Sequence, residues 1–332
     1  MLYFKKILAV GVFVLAIFLM IEITYRCYTV GPAAGLNPVL ANSMNTLMRS
    51  EFVQLSEFPD LFFELKPDLN GWFRGVRFAT NSAGLADKEY SRAKPEDVFR
   101  IAVAGSSWTM GSGVESDEAW PAVLERQLNG QKSDTTIEVL NFGVEMYGLR
   151  ELVATVRHKV KEWNPDLIVV SITSFTTSFF WEETNKNPTL PERAYPFFDS
   201  FALRAFGNLL GWSIDKPADD RAGIDPAKPN LRLAQLERTL NELAELQIKN
   251  DVPIVVIFLG YVSLAPEIEQ AQLQQASQLG IKVIWANRIF PTEWRERGKL
   301  NISRYDRHPN GSGHELIASF IGEGLMRQGL LP

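Results

Sequence analysis

The sequence predicts a three-layer α/β domain built on a five-stranded parallel sheet and preceded by an N-terminal transmembrane helix. Three observations lead there. Short apolar runs rich in Val and Ile recur after residue 98, amphipathic helical stretches separate them, and a long uncharged run stands near the N-terminus. Strands apolar on both faces need helices on both sides, and a strand–helix alternation repeated five times argues for one parallel sheet.

Composition agrees and narrows the function classes. A chain of 332 residues with 46% hydrophobic and 22% charged residues can bury a substantial core, so disorder and fibrous structure are excluded. The balance of 34 basic against 39 acidic residues offers no attraction for phosphate backbones, so no nucleic-acid partner is expected. One cysteine, Cys27, excludes an internal disulfide and a Cys/His zinc cluster. Without such a cluster or a phosphate-cradling glycine loop, neither metal nor nucleotide cofactor is expected. Any imidazole chemistry falls to His158, His308 or His314.

The first element is the apolar run. Ile7 to Ile21 carries no charge, with Lys5 and Lys6 before it and Glu22 and Arg26 after it. These fifteen residues cover about 22 Å as a helix, and the flanking apolar residues with snorkelling lysines extend that toward ~30 Å. No small-x-small cleavage site follows between Glu22 and Thr29, and the residues before Cys27 are too large for a lipobox. The flanks therefore favour an uncleaved signal anchor over residues 1–30, with the N-terminus cytoplasmic and the rest outside.

Residues 31–98 read as an irregular, strand-bearing lead-in. Gly71 to Thr80 alternates enough for strands, and Asn81-Ser82-Ala83-Gly84 reads as a turn. The α/β pattern then fills 99–332. Its strands are Phe99–Gly105, Ile137–Gly143, Asp166–Ile172, Pro253–Leu259 and Lys282–Asn287. Helical patterns cover Glu118–Leu128, Leu149–Trp163, Leu231–Lys249, Pro266–Leu279 and Gly313–Arg327. An aromatic, proline-bearing insertion around residues 178–230 interrupts the rhythm, as a satellite core or as a lid over a site.

Ligands of open parallel sheets bind outside the carboxyl ends of the strands. Gly105-Ser106-Ser107-Trp108-Thr109-Met110-Gly111 follows the first strand, Asn141-Phe142-Gly143 ends the second, and Ser174-Phe175-Thr176-Thr177 follows the third. Asp306-Arg307-His308-Pro309-Asn310 lies beyond the fifth. A hydroxyl, a glycine amide and an Asp/His pair thus converge on one edge, as acyl transfer requires. A serine hydroxyl needs a base to take its proton, neutral imidazole suits that task, and a carboxylate fixes the imidazole tautomer. Backbone amides at a strand-to-helix turn stabilise the oxyanion.

In their order, G-x-S-x-T-x-G, N-x-G and D-x-H-P-N-x-x-G-H, these blocks resemble the SGNH/GDSL hydrolase superfamily, in its membrane-anchored bacterial form, over roughly residues 60–330. The resemblance implies a flavodoxin-like sandwich. It also implies Ser107 as nucleophile, His308 as general base, Asp306 as the carboxylate that orients it, and amides of Ser107 and Gly143 in the oxyanion hole. Where the family has Asp before the nucleophile, this chain has Ser106, and its triad Asp stands two residues before the His rather than three. The block-three Asn is replaced at Phe175 or Thr176, which leaves Thr176, or its neighbours Ser174 and Thr177, as the third oxyanion donor. The implied function is a serine esterase removing acyl groups, O-acetyl above all, from a carbohydrate or cell-envelope substrate. An O-acetyltransferase using the same acyl-enzyme, and a catalytically weak domain that binds a glycan or a protein, are the alternatives. His314 is expected to pack or cap, and His158 to be solvated.

Overall fold

The computed structural model describes residues 2–30, 35–36, 52–74, 76–130, 135–173, 176, 229–259, 266–286, 289–290, 296–302 and 306–332. The aromatic insertion, apart from its last two residues, lies outside them, as do Ser174, Phe175, Thr177 and Asn287.

The uncharged run lies within α1 (Leu2–Val30), whose stretch Tyr3–Cys27 is long and apolar enough to cross a membrane, with a mean hydropathy of 2.7. Its apolar side chains are exposed, while Glu22 is buried and accepts a 2.8 Å hydrogen bond from Arg26 one helical turn on. The lead-in forms two antiparallel pairs, β1 (Val53–Leu55) with β2 (Phe63–Leu65) and β3 (Asn70–Phe73) with β4 (Val76–Ala79). The expected turn follows: Asn81 Oδ1 accepts from the amides of Ala83 and Leu85 at 3.0 and 2.9 Å, and Gly84 takes a positive φ of 75°.

The α/β portion contains β5 (Val98–Gly105), α2 (Ser107–Met110), α3 (Trp120–Asn129), β6 (Thr136–Gly143), α4 (Leu149–His158), β7 (Leu167–Ile172), α5 (Pro229–Asn250), β8 (Ile254–Leu259), α6 (Pro266–Gln278), β9 (Lys282–Ala286), α7 (Arg297–Leu300) and α8 (Gly311–Arg327). Each expected strand and helix is present within about two residues, except that the helix expected over Leu149–Trp163 ends at His158 and Val160–Trp163 follows as a separate 3₁₀ turn; the short α2 and α7 were not anticipated. The five strands run parallel in the order β6-β5-β7-β8-β9, the flavodoxin-like order. Sheet order reverses between β5 and β7, so the crevice at their carboxyl ends is where a ligand belongs.

Alternating residues split into two cores. Ala102, Ala104, Ile168, Val170, Val256 and Phe258 face Leu152, Val156, Leu240 and Leu243 of α4 and α5. Ile101, Val103, Val169 and Ile257 face Trp120, Leu124, Ile317 and Ile321 of α3 and α8. The lead-in joins the first of these cores through Phe52, Phe63, Phe73 and Phe78. Every residue of β7 and β8 is buried, which explains their near-continuous apolar composition, broken only by Ser171.

The exposed side of the edge strand β6 is closed by side chains. The amides of Ile137, Val139 and Asn141 donate to Asn129 Oδ1, Glu125 Oε2 and Asp87 Oδ2 at 2.9, 2.9 and 3.0 Å. This occupies the outward ladder positions that an edge would otherwise offer to another chain. It also fixes β6, and with it Gly143, against the lead-in. Burial raises the Asp87 carboxyl to about 7.

Candidate active site

β5 ends at Gly105 because the chain must turn sharply into α2. A Cβ at Gly105 would lie 1.9 Å from Thr109 Oγ1, and one at Gly143 would lie 2.4 Å from the Met110 amide nitrogen. Both glycines therefore let α2 sit directly on the ends of β5 and β6. Ser106 is the extended N-cap residue and Ser107 opens the helix, where its amide has no intrahelical acceptor. Gly111 stops α2 in the left-handed region at φ 90°.

The loop carrying the histidine is held on the opposite side. Ile302 donates its amide to the His308 carbonyl at 2.8 Å, and Ile302 lies against Gly113 just past α2. Asn310 caps α8 by accepting from the Gly313 amide at 3.0 Å. Asp306 Oδ1 accepts from the backbone amide of His308 at 2.9 Å and meets its ring Nδ1 at 2.5 Å. A two-residue spacing therefore suffices for the contact, because the carboxylate folds back over its own loop. The carboxylate can only accept, so Nδ1 carries the proton and Nε2 is left as the acceptor a general base needs.

The remaining expected site residues are placed as follows. Ser107 is largely buried, and among the described residues its hydroxyl has no hydrogen-bond partner, His308 included. The Gly143 amide donates to Asn141 Oδ1 at 2.9 Å, while Asn141 Nδ2 donates to the Thr109 carbonyl at 2.9 Å. The N-x-G block thus stitches β6 to α2. Thr176 is buried, and its hydroxyl accepts from the Thr173 amide at 2.5 Å and donates to the Thr173 carbonyl at 2.8 Å. The backbone places Ser107, Gly143 and the Asp306–His308 pair at one edge; the amide of Gly143 and the hydroxyl of Thr176 both have internal partners.

Two residues that sequence reasoning missed belong to this edge. Arg74, in the two-residue loop between β3 and β4, donates from Nη1 to Asp306 Oδ2 at 2.8 Å and from Nη2 to Glu145 Oε1 at 2.7 Å. Its Nη1 also stands 3.4 Å from His308 Nδ1. Glu145 follows Gly143 by two residues. An Arg-Gly pair between two strand-like runs was the available signal, since a two-residue hairpin loop projects its first side chain from a left-handed backbone. Burial alone would raise the Asp306 carboxyl. The hydrogen bond and charge of His308, with the Arg74 guanidinium, outweigh it and hold the group well below the usual carboxylate range.

The other histidines divide. His314 is fully buried, its Nδ1 accepts from the Trp120 amide at 3.1 Å, and burial lowers it to about 3, so it packs as expected. His158 is not solvated: its ring stacks on Phe58 at 4.4 Å and its Nε2 meets Asp60 Oδ1 at 2.8 Å. The lead-in that supplies both contacts was not foreseeable from the helix face alone.

No protein-family profile and no curated protein matches the chain. Solved structures give low-identity likenesses. An acetylxylan esterase from Geobacillus stearothermophilus is 14% identical, over 68% of this chain and 94% of its own, with a TM-score of 0.40. A lipase/acylhydrolase from Enterococcus faecalis is 12% identical, over 69% and 96%, with a TM-score of 0.41. A two-domain esterase active on acetylated mannans is 13% identical, over 71% and 51%, with a TM-score of 0.43. It is in its own motif order, its strand order and the loops bearing Ser107, Gly143, Asp306 and His308 that the chain resembles the SGNH/GDSL hydrolases.

Proposed function

We propose that the protein is a serine esterase in which Ser107 is the nucleophile, His308 the general base and Asp306 its orienting carboxylate. The observation that carries this is the 2.5 Å contact between Asp306 Oδ1 and His308 Nδ1, at the same sheet edge as a serine that opens a helix. The Ser107 hydroxyl attacks an acyl carbonyl and passes its proton to His308 Nε2. The alkoxide leaves with that proton, and an acyl-serine remains. Water, activated by the same imidazole, then releases the acid. The Ser107 amide stabilises the tetrahedral oxyanion. Gly143 and Thr176 join it once substrate draws their donors from Asn141 and Thr173.

Acetyl on a carbohydrate or cell-envelope polymer is the substrate this reading favours, on the strength of the resemblance and of the proposal that α1 is an uncleaved anchor with the site outside the cytoplasm. A sugar hydroxyl in place of water would make the same acyl-enzyme an O-acetyltransferase. A second reading, a binding domain of weak activity, is favoured by the internal partners of Gly143 and Thr176.

The full chain in detergent, assayed with a short-chain aryl acetate beside Ser107→Ala, separates them. The esterase reading expects a loss of roughly 10³-fold or more in kcat/KM. Equal rates in the two proteins would leave only the binding domain, and loss in Ser106→Ala alone would move the nucleophile by one residue.

A further inference from the structure

We propose that Arg74 is a positioning residue of the acyl-transfer site, so that the β3–β4 hairpin of the lead-in is part of the catalytic unit. The proposal rests on the esterase reading and adds a residue that its blocks do not contain.

The geometry is that of a fork between two carboxylates. Nη1 takes Asp306 Oδ2 at 2.8 Å, which leaves Oδ1 for His308, and Nη2 takes Glu145 Oε1 at 2.7 Å. With one oxygen committed to the guanidinium and the other to the imidazole, the Asp306 carboxylate cannot rotate without breaking a charge-assisted bond. Among the described residues Arg74 Nε and Glu145 Oε2 are buried and unpartnered, so the fork is made at some expense in satisfied polar atoms.

The hairpin is braced for this task. Arg74 has φ +49°, in the left-handed region, and the strands beside it bury Phe73 and Phe78 against Phe52, with ring centroids 6.2 and 5.9 Å from the Phe52 ring. The loop after β6 is held by the same lead-in a second time, where buried Tyr147 donates to the Phe63 carbonyl at 2.6 Å. Met146, between Glu145 and Tyr147, takes φ +68°, so this loop is pinned in an uncommon backbone state. The lead-in thereby ties the carboxyl end of β6 to the loop bearing His308.

Charge supplies the second half of the role. Among the described residues, the groups facing the His308 ring are Asp306 on its own loop, Arg74 from the hairpin with Glu145 behind it, and His314 on α8. The guanidinium cancels one of the two negative charges. Without it two uncompensated carboxylates would stand at the ring.

Arg74→Gln and Arg74→Lys in the full chain test this with aryl acetate. Arg74→Gln should lower kcat about 10- to 100-fold with little change in KM, because the acid is misplaced rather than the substrate lost. Its low-pH arm of kcat/KM should move to higher pH. Arg74→Lys restores the charge but not the fork. It should return the low-pH arm toward that of the parent while kcat stays reduced, and it carries the test if Arg74→Gln does not fold. An unchanged kcat and unchanged pH profile in the folded variants would overturn the proposal. A readout independent of turnover is the low-field proton resonance of the His308–Asp306 hydrogen bond, assigned by its loss in Asp306→Asn. It should shift in Arg74→Gln, and an unshifted resonance would also overturn the proposal. Should the parent show no Ser107-dependent hydrolysis, the esterase reading fails by the rate assay while this resonance still decides the placement of Arg74.

Discussion

The two ends of the parallel sheet each hold an arginine, fully buried at one end and half-buried at the other, and they are built to opposite standards. At the amino end Arg100, on β5, is wholly inaccessible and every guanidinium nitrogen is engaged. Nε donates to Glu138 Oε2 at 2.7 Å, Nη1 to the Trp163 carbonyl at 2.8 Å, and Nη2 to the Ser91 carbonyl at 2.9 Å. The guanidinium also lies 5.9 Å from the Trp163 ring centroid. At the carboxyl end Arg74 leaves Nε unpartnered and shares the Asp306 carboxylate with His308. Full satisfaction serves stability. Shared and incomplete satisfaction marks the edge where the proposed mechanism moves protons.

The largest expected effect on folding breaks the amino end. Arg100→Met should cost about 3–5 kcal/mol, because three backbone carbonyls and Glu138 lose their donor together. Urea unfolding of the full chain in detergent measures it. The activity per folded molecule and its pH profile should stay as in the parent, the reverse of Arg74→Gln. A pH-profile shift in Arg100→Met, or a stability loss under about 1 kcal/mol, would erase the distinction between the two ends.

Almost the whole sheet was legible in the sequence, because strands buried on both faces leave continuous Val/Ile runs and helices leave a 3.6-residue period. The Asp306–His308 pair was legible for a related reason: two residues apart on one loop, its contact is local. Arg74 was not. It lies 232 residues from Asp306, in a hairpin whose packing against β6 depends on Asp87, Tyr147 and a cluster of phenylalanines. No local period encodes that docking. The tight role of Gly143 was also half hidden, since an N-x-G block says that glycine is present and not that helix α2 rests on it.

A smaller effect probes that contact. Gly143→Ala forces a methyl to within 2.4 Å of the Met110 amide nitrogen, and backbone must yield rather than a side-chain tip. The expected cost is about 1–3 kcal/mol of stability, together with a fall in Ser107-dependent hydrolysis, because α2 carries Ser107. Stability lost without activity lost would mean that α2 moves as a unit, and that the carboxyl end tolerates more displacement than its counterpart.

The smallest effect is in the pH dependence of folding, and it asks whether the carboxyl-end helix α8 follows the rules of the amino end. Burial lowers His314 to about 3, so between roughly pH 6.5 and about 3 the unfolded chain binds a proton there that the folded chain does not. Stability contributed by the neutral ring is complete above that window and is lost as pH falls through it, at up to about 1.4 kcal/mol per pH unit. Asp87 and Glu151, raised by burial to about 7, act with the opposite sign, losing stability as pH rises from the ordinary carboxylate range toward that value. Those two terms are common to parent and variant and cancel in the difference. His314→Asn keeps an acceptor for the Trp120 amide and removes the titration. Chemical denaturation of both proteins between pH 4 and 7 should therefore give a difference in unfolding free energy that falls as pH is lowered. A difference that is flat across this range would mean that His314 gains a partner or solvent on protonation, and that this end of the molecule is looser than its burial indicates.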